Sequence, residues 1–243
     1  AARICQAVRD GMRWRDITVI MRDATSWQGI IDATFDKFKI PYFLAEHTEL
    51  ITKPLFKLLM STLNIKNKGW HQNDVISLIK TGLCGFSDRE CDVFEEYCST
   101  WNISGKRFLD NEWTMNPDGY VAEMSDRAAD ILNVANDVRT RLTTPLVELF
   151  TRLDAAETVA EQCRALYMYT EALNVREILD LISDRASEAG DARAAQDSVR
   201  MYNIYIEALD KVALSLADTE PDTEQLACAL RIIFENTNIG SLP

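Results

Sequence analysis

The sequence predicts a mainly α-helical chain, with a small N-terminal α/β unit of two short strands followed by a multi-helix bundle. Three observations carry this. Ile17, Val19, Ile20 and Met21 form a short, β-branched apolar run bounded by charges, the pattern of a buried strand. From about residue 54 onward, apolar side chains recur at three- and four-residue steps, as in helices with one buried stripe. The breaks between these stretches are short and rich in Gly, Pro, Asp and Ser, which cap helices and join them into bundles.

Taken in order, Asp23 offers a cap for a helix with Trp27, Ile30, Ile31, Phe35 and Phe38 on one face, and Ile40-Pro41-Tyr42-Phe43-Leu44 follows as the second strand. Thr52 caps a helix from near Pro54, with Leu55, Leu58, Leu59, Thr62 and Leu63 on one side. Another runs from about His71 to Thr81 and stops at Gly82, a residue suited to a left-handed cap. Ser87-Asp88-Arg89-Glu90 has the spacing of a capping box and opens the helix that carries Phe94, Tyr97 and Cys98. Residues 101–120 hold Gly105, Pro117 and Gly119 and are expected as loop with at most a short turn.

Beyond Ser125 only helices are expected: to about Leu142, from Thr144-Pro145 to Leu153, from a cap at Asp154–Glu157 to Leu173, from Val175 to Ala189 before Gly190, from Asp191 to Ala217, and from Thr223 to Asn236. The Asp191–Ala217 segment is the longest of these. Its Ala195, Val199, Tyr202, Ile206, Leu209, Ala213 and Leu216 alternate steps of four and three, a seam for antiparallel neighbours in the bundle, with dimerisation as the alternative. Leu226, Leu230 and Ile233 face inward from the last helix. Residues 1–66 are thus assigned to the α/β part, 67–236 to a helical subdomain broken near 101–120, and 237–243 to a return toward the α/β part.

At 243 residues with 47% hydrophobic and 26% charged content, the chain can bury a sizeable core. No apolar run reaches the roughly 18 residues of a membrane span, and no signal-peptide pattern opens the chain, so a cytoplasmic protein without a membrane partner is expected. The chain begins Ala1-Ala2-Arg3 and closes just after a helix, as an excised piece of a longer protein would. The net charge of −12 is uneven: residues 1–120 carry 15 Lys and Arg against 16 Asp and Glu, residues 121–243 carry 11 against 22. A nucleic acid would be repelled over most of the second half, which directs attention to the first.

The motifs of chemistry are few. No GxxxxGK[ST] phosphate cradle occurs; the nearest glycine pair, Gly82 and Gly85, lacks the Lys and the Ser/Thr. His47 and His71 stand alone, and the pairs Glu95/Glu96 and Asp180/Asp184 sit on helices where solvated faces are the simpler account. Cys84, Cys91 and Cys98 repeat every seven residues, but a two-turn helical step separates sulfurs by roughly 10 Å, too far to share one ion. Small buried thiols are expected for these and for Cys5, Cys163 and Cys228. No catalytic, cofactor-binding or metal-binding residue is assigned. Lys80 is accounted for by the dipole of its own helix. The candidate site is the loop of Trp101, Lys106, Arg107, Phe108 and Trp113, which combines stacking surfaces with phosphate-pairing charges as single-strand binders do.

Residues 15–65, RDITVIMRDATSWQGIIDATFDKFKIPYFLAEHTELITKPLFKLLMSTLNI, resemble the second motor-like domain of superfamily 1 DNA helicases. There a "diAVL.R" strand, a helix, "gIPY" and a "pl...l...l.i" helix follow in that order. WHQNDVISLIKTGLCG at residues 70–85 and Ile103-Ser104-Gly105-Lys106-Arg107-Phe108 narrow the resemblance to the AddB (RexB-like) subunit of bacterial ATP-dependent helicase-nucleases, with its "d.v...lKTgL.g" and "I.GKRw". The resemblance covers residues 1 to about 115; beyond it only generic helix is seen.

It implies the start of a second motor-like domain with a 2B-like helical insertion. It implies a parent protein that works on DNA with an AddA-like helicase-nuclease partner in double-strand-break repair and recombination. ATP, Mg2+ and an iron–sulfur cluster are implied for the parent, and none of their ligand motifs transfers to this chain. Nor does any of Arg13, Arg15 and Arg22, which flank the first expected strand, match a transferable motif. The role expected of this segment is a non-catalytic scaffold that shapes the DNA channel and the partner interface. The alternatives are a fragment of an active UvrD-type superfamily 1 helicase and a helical protein-interaction domain unrelated to DNA.

Overall fold

The computed structural model describes residues 1–22, 27, 29–42, 50–120, 123–190 and 192–237. The chain divides into two compact units, Ala1–Thr48 with Gly240–Pro243, and Glu49–Ile239.

In the first unit, helix α1 (Ala2–Arg9) half-buries Ile4, Cys5, Ala7 and Val8 and exposes Arg3, Gln6 and Arg9. No side chain caps its start, so it lacks the usual start signal in the sequence. A 3-10 turn at Trp14–Asp16 follows, held by the Arg13 to Asp16 ion pair at 2.7 Å. Helix α2 (Ile30–Lys37) begins where the Gly29 N–H, at φ +78°, donates to the Asp32 carboxylate at 3.2 Å. Tyr42 folds back on α2: its hydroxyl donates to Asp32 at 3.0 Å and its ring meets Phe35 edge-on at 5.2 Å. Trp27, Ile30 and Phe38, expected on a buried face, are exposed.

Neither expected strand is present among the described residues. The backbone from Ile17 to Met21 carries no ladder, and Ile17 is extended at φ −107°, ψ 121°. Val19 is 52% exposed and Ile20 90%. β-Branched residues favour extended backbone, but a strand exists only through a neighbour that takes its N–H and C=O groups. Ile40 to Tyr42 is irregular, after Lys39 turns the chain at φ +52°. Phe43 and Leu44 of the second strand, the cap Asp23 and His47 lie outside the described residues.

The second unit is a helical assembly. Helix α3 (Pro54–Lys68) starts with Pro54 at its first position, and Lys53, not Thr52, takes the cap position. Nine of its 15 residues are buried, so it is apolar almost all round and forms the centre of the unit. Around it stand α4 (Gln72–Ile79), α9 (Ala192–Ser215) and α10 (Thr223–Asn236). Helix α5 (Asp88–Thr100) packs on α6 (Asp126–Ala155), α6 on α7 (Val159–Ala172), α7 on α8 (Val175–Glu188) and α9, and α8 on α9. The capping box is present: the Ser87 N–H donates to Glu90 at 2.7 Å, and the Glu90 N–H to Ser87 Oγ at 3.3 Å.

Three helical expectations are corrected. The helices expected to break before Thr144-Pro145 are one 30-residue helix, α6, which runs through Pro145 and is longer than the 24-residue α9. Leu142, Leu146, Leu149 and Leu153 are buried on both sides of the proline, so packing outweighs the one missing N–H. Helix α7 is capped by Thr158, whose hydroxyl accepts from the Glu161 N–H at 3.2 Å, and not by Asp154–Glu157. The buried face of α9 is Ala195, Ser198, Met201, Tyr205, Ala208, Leu209 and Val212, whereas Val199 of the expected seam is 50% exposed and Tyr202, Ile206, Ala213 and Leu216 are half-buried. Ser198 is admitted to the core because its hydroxyl bonds the Ala194 carbonyl at 3.1 Å.

Candidate nucleic-acid interface

The loop after α5 is held by its own side chains. Asn102 turns the chain at φ +47°, and the Gly105 N–H reaches the Trp70 carbonyl at 2.6 Å. Gly105 sits at φ +63°, a conformation that favours glycine. The next residues form a 3-10 turn, Gly105–Leu109, which carries Phe108 into the core, fully buried and stacked on Trp70 at 6.2 Å. The two sequence segments that carry the AddB resemblance therefore meet at Trp70, Gly105 and Phe108.

Trp113 is 2% exposed. Its ring stacks on Tyr97 at 5.2 Å and 15°, and its indole N–H donates to the Arg107 carbonyl at 2.9 Å. Asn136 of α6 accepts the Trp113 N–H and donates to the Trp113 carbonyl, each at 2.9 Å. Arg139, one turn further along α6, is buried; its guanidinium lies over the Trp113 ring at 5.7 Å and donates to the carbonyls of Asp110 and Asn111. Burial pulls its pKa down, and Asp110 and Glu112 oppose that.

Of the five expected contact residues, Phe108 and Trp113 are core residues with no face open to a base. Arg107 spends its guanidinium on the Trp101 carbonyl at 2.9 Å, which pins the loop to the end of α5. Lys106 is exposed. Trp101 is half-buried, its indole N–H on the Asn116 carbonyl at 3.2 Å, and it meets the ring of Tyr120 edge-on at 5.1 Å. Tyr120 is 99% exposed and is not among the residues expected from the sequence. An aromatic next to Gly119, off every helical period, is its signal there.

The remaining candidates serve the fold. Lys80 pairs with Glu95, which raises the Lys80 pKa. Two N–H and hydroxyl bonds from Ser87, with Arg141 alongside, hold the Glu90 carboxyl down at about 2. His71 occupies the cap position of α4. Cys84 and Cys91 donate to the carbonyls of Leu78 and Ile79 at the end of α4, each at 3.6 Å. Burial pushes the thiols of Cys84 and Cys98 up to about 12 and that of Cys163 to about 11, while Cys228 is exposed. Among the described residues no three His, Cys, Asp or Glu side chains gather as metal ligands. Among the same residues no helix is long and apolar enough to cross a membrane.

No protein-family model matches the chain. It is 27% identical over 237 residues, 98% of its length, to the B-type subunit of an ATP-dependent helicase/deoxyribonuclease of Clostridium novyi. Proteins of the same name from Clostridium acetobutylicum and Acetivibrio thermocellus are 27% and 28% identical over 247 and 246 residues, which covers the whole chain. The chain spans 20 to 22% of the length of these curated relatives. Over its whole length the chain is therefore homologous to one segment of the B-type subunits of ATP-dependent helicase/deoxyribonucleases, consistent with a fragment of an AddB protein.

Proposed function

We propose that this chain is a non-catalytic structural segment of the AddB-type subunit of an ATP-dependent DNA helicase/exonuclease that acts in the cytoplasm in double-strand-break repair and recombination. It shapes the DNA channel and the interface with an AddA-like helicase-nuclease subunit. The single observation that carries the proposal is the similarity along the full chain to relatives whose name joins helicase and deoxyribonuclease. The loop of residues 101–120 supports it in kind: a frame of buried aromatics and backbone-directed side chains presents Lys106, one face of Trp101 and Tyr120 at the surface. An exposed cation in the same loop as two aromatic rings is the composition of a weak, sequence-tolerant contact to single-stranded DNA. ATP, Mg2+ and any cluster act elsewhere in the parent subunit or its partner.

The test is the salt dependence of tailed-duplex DNA binding by the full-length subunit assembled with its partner. One phosphate contact contributes roughly 0.7 to 0.9 to the slope of log affinity against log salt. Lys106→Glu lowers the slope by about that amount and weakens binding at low salt. An unchanged slope and affinity contradict the contact. Arg107 is left in place, because its loss would unpin Trp101.

A further inference from the structure

An open groove of about 500 Å³ runs between α7, α8 and α9, well away from the 101–120 loop in sequence. Its apolar lining is Tyr167, 40% exposed, with Leu179, Val199, Tyr202 and Ile206. Val199, Tyr202 and Ile206 stand at i, i+3 and i+7 on α9, so they form one helical stripe. This is part of the heptad seam visible in the sequence, and the bundle covers it only in part: Val199 is exposed and Tyr202 and Ile206 are half-buried. The groove has the size of a ligand pocket, but it is open along one side, the shape that takes a row of side chains from an amphipathic helix.

The charges facing it select the occupant. Arg176 is committed to the Tyr202 ring at 5.8 Å, and the Tyr202 hydroxyl donates to Glu171 at 2.7 Å. Asp180 on the α8 wall and Glu207 on the α9 wall remain. Glu207 has a solvated Lys211 partner at 3.8 Å, an exposed pair of little strength. The surrounding half of the chain carries twice as many acidic as basic residues. A second copy of this chain would set these carboxylates against their own images, which is unfavourable. The geometry points to a docking groove for a basic amphipathic helix of another protein, its apolar face on Val199, Tyr202 and Tyr167 and its cations on Asp180 and Glu207.

Two labelled peptides of about four helical turns test this by fluorescence anisotropy with the full 243-residue chain. Both carry leucines at i, i+3, i+4 and i+7; one is otherwise lysine-rich, the other glutamate-rich. The lysine peptide binds, and the glutamate peptide binds at least tenfold more weakly. Val199→Glu, at a half-exposed position that leaves the core intact by circular dichroism, weakens the lysine peptide about tenfold although it adds a negative charge. Asp180→Lys with Glu207→Lys reverses the preference. Unchanged or tighter binding of the lysine peptide to Val199→Glu means nonspecific attraction and overturns the proposal. So does equal binding of both peptides, binding of neither, or a dimer in sedimentation that Val199→Glu dissociates.

Discussion

Asn136 grips the backbone of Trp113 from both sides, accepting its N–H and donating to its carbonyl at 2.9 Å each. The carboxamide thus stands in for the neighbouring strand that an isolated loop residue lacks. One side chain of α6 fixes the depth at which the indole enters the core.

Asn136→Ala leaves a donor and an acceptor at the buried Trp113 without partners. An unfolding midpoint that corresponds to a loss of about 2 to 6 kcal/mol is expected, from roughly 1 to 3 kcal/mol for each of the two orphaned groups. Tryptophan fluorescence in urea checks it. Asn136→Asp keeps the acceptor and loses the donor, so it falls between Asn136→Ala and the wild type.

Glu90 links stability to acid. Its folded pKa, held at about 2 by Ser87 and then by Arg141, lies below the ordinary value of 4.5. The carboxylate therefore contributes its full stabilisation above about pH 4.5 and loses it as pH falls toward 2. Glu90→Gln is expected to be less stable than the wild type at pH 7 by about 1 kcal/mol, the ordinary value of a cap. The gap should close by about pH 2 in urea titrations across the range, and a gap that persists there assigns the effect elsewhere.

Pro145 interrupts the ladder of α6 without ending the helix. Pro145→Ala restores a donor for the Arg141 carbonyl four residues back, so a gain of about 1 to 3 kcal/mol is expected, within the roughly 3 kcal/mol separating Pro from Ala in a helix interior. Thermal denaturation reads it. An unchanged or lower midpoint would mean that the packing around Leu142 and Leu146 requires the proline.

Most helices are legible in the sequence because their signals are local. The Ser87–Glu90 box, Gly190 just past the end of α8, and the apolar steps of α3 and α10 each depend on a few adjacent residues, whereas α4 ends at Ile79, before the expected stop at Gly82. The strand expected at Ile17–Met21 does not form because pairing is not local: β-branched residues can extend a backbone, but only a neighbouring strand makes a ladder. Pro145 looks like a break because propensity ignores the buried leucines on either side. At the candidate site, composition singles out a loop but does not say which of its side chains are buried. The same residue types serve stacking on a base and stacking on a core, and Phe108 and Trp113 do the second. Side chains from other elements, Trp70, Phe94, Tyr97, Asn136 and Arg139 among them, decide between the two.

In the proposed role, this segment acts on DNA through position and not through chemistry. DNA-stimulated ATP hydrolysis, measured on the full-length subunit with its partner and carrying Lys106→Glu and Tyr120→Ala together, tests this most directly. The expected result is a DNA concentration for half-maximal rate raised about tenfold, from the lost cation and a stack worth roughly 1 kcal/mol or more, with kcat at saturating DNA unchanged. A kcat reduced about tenfold at an unchanged half-saturating DNA concentration would contradict it.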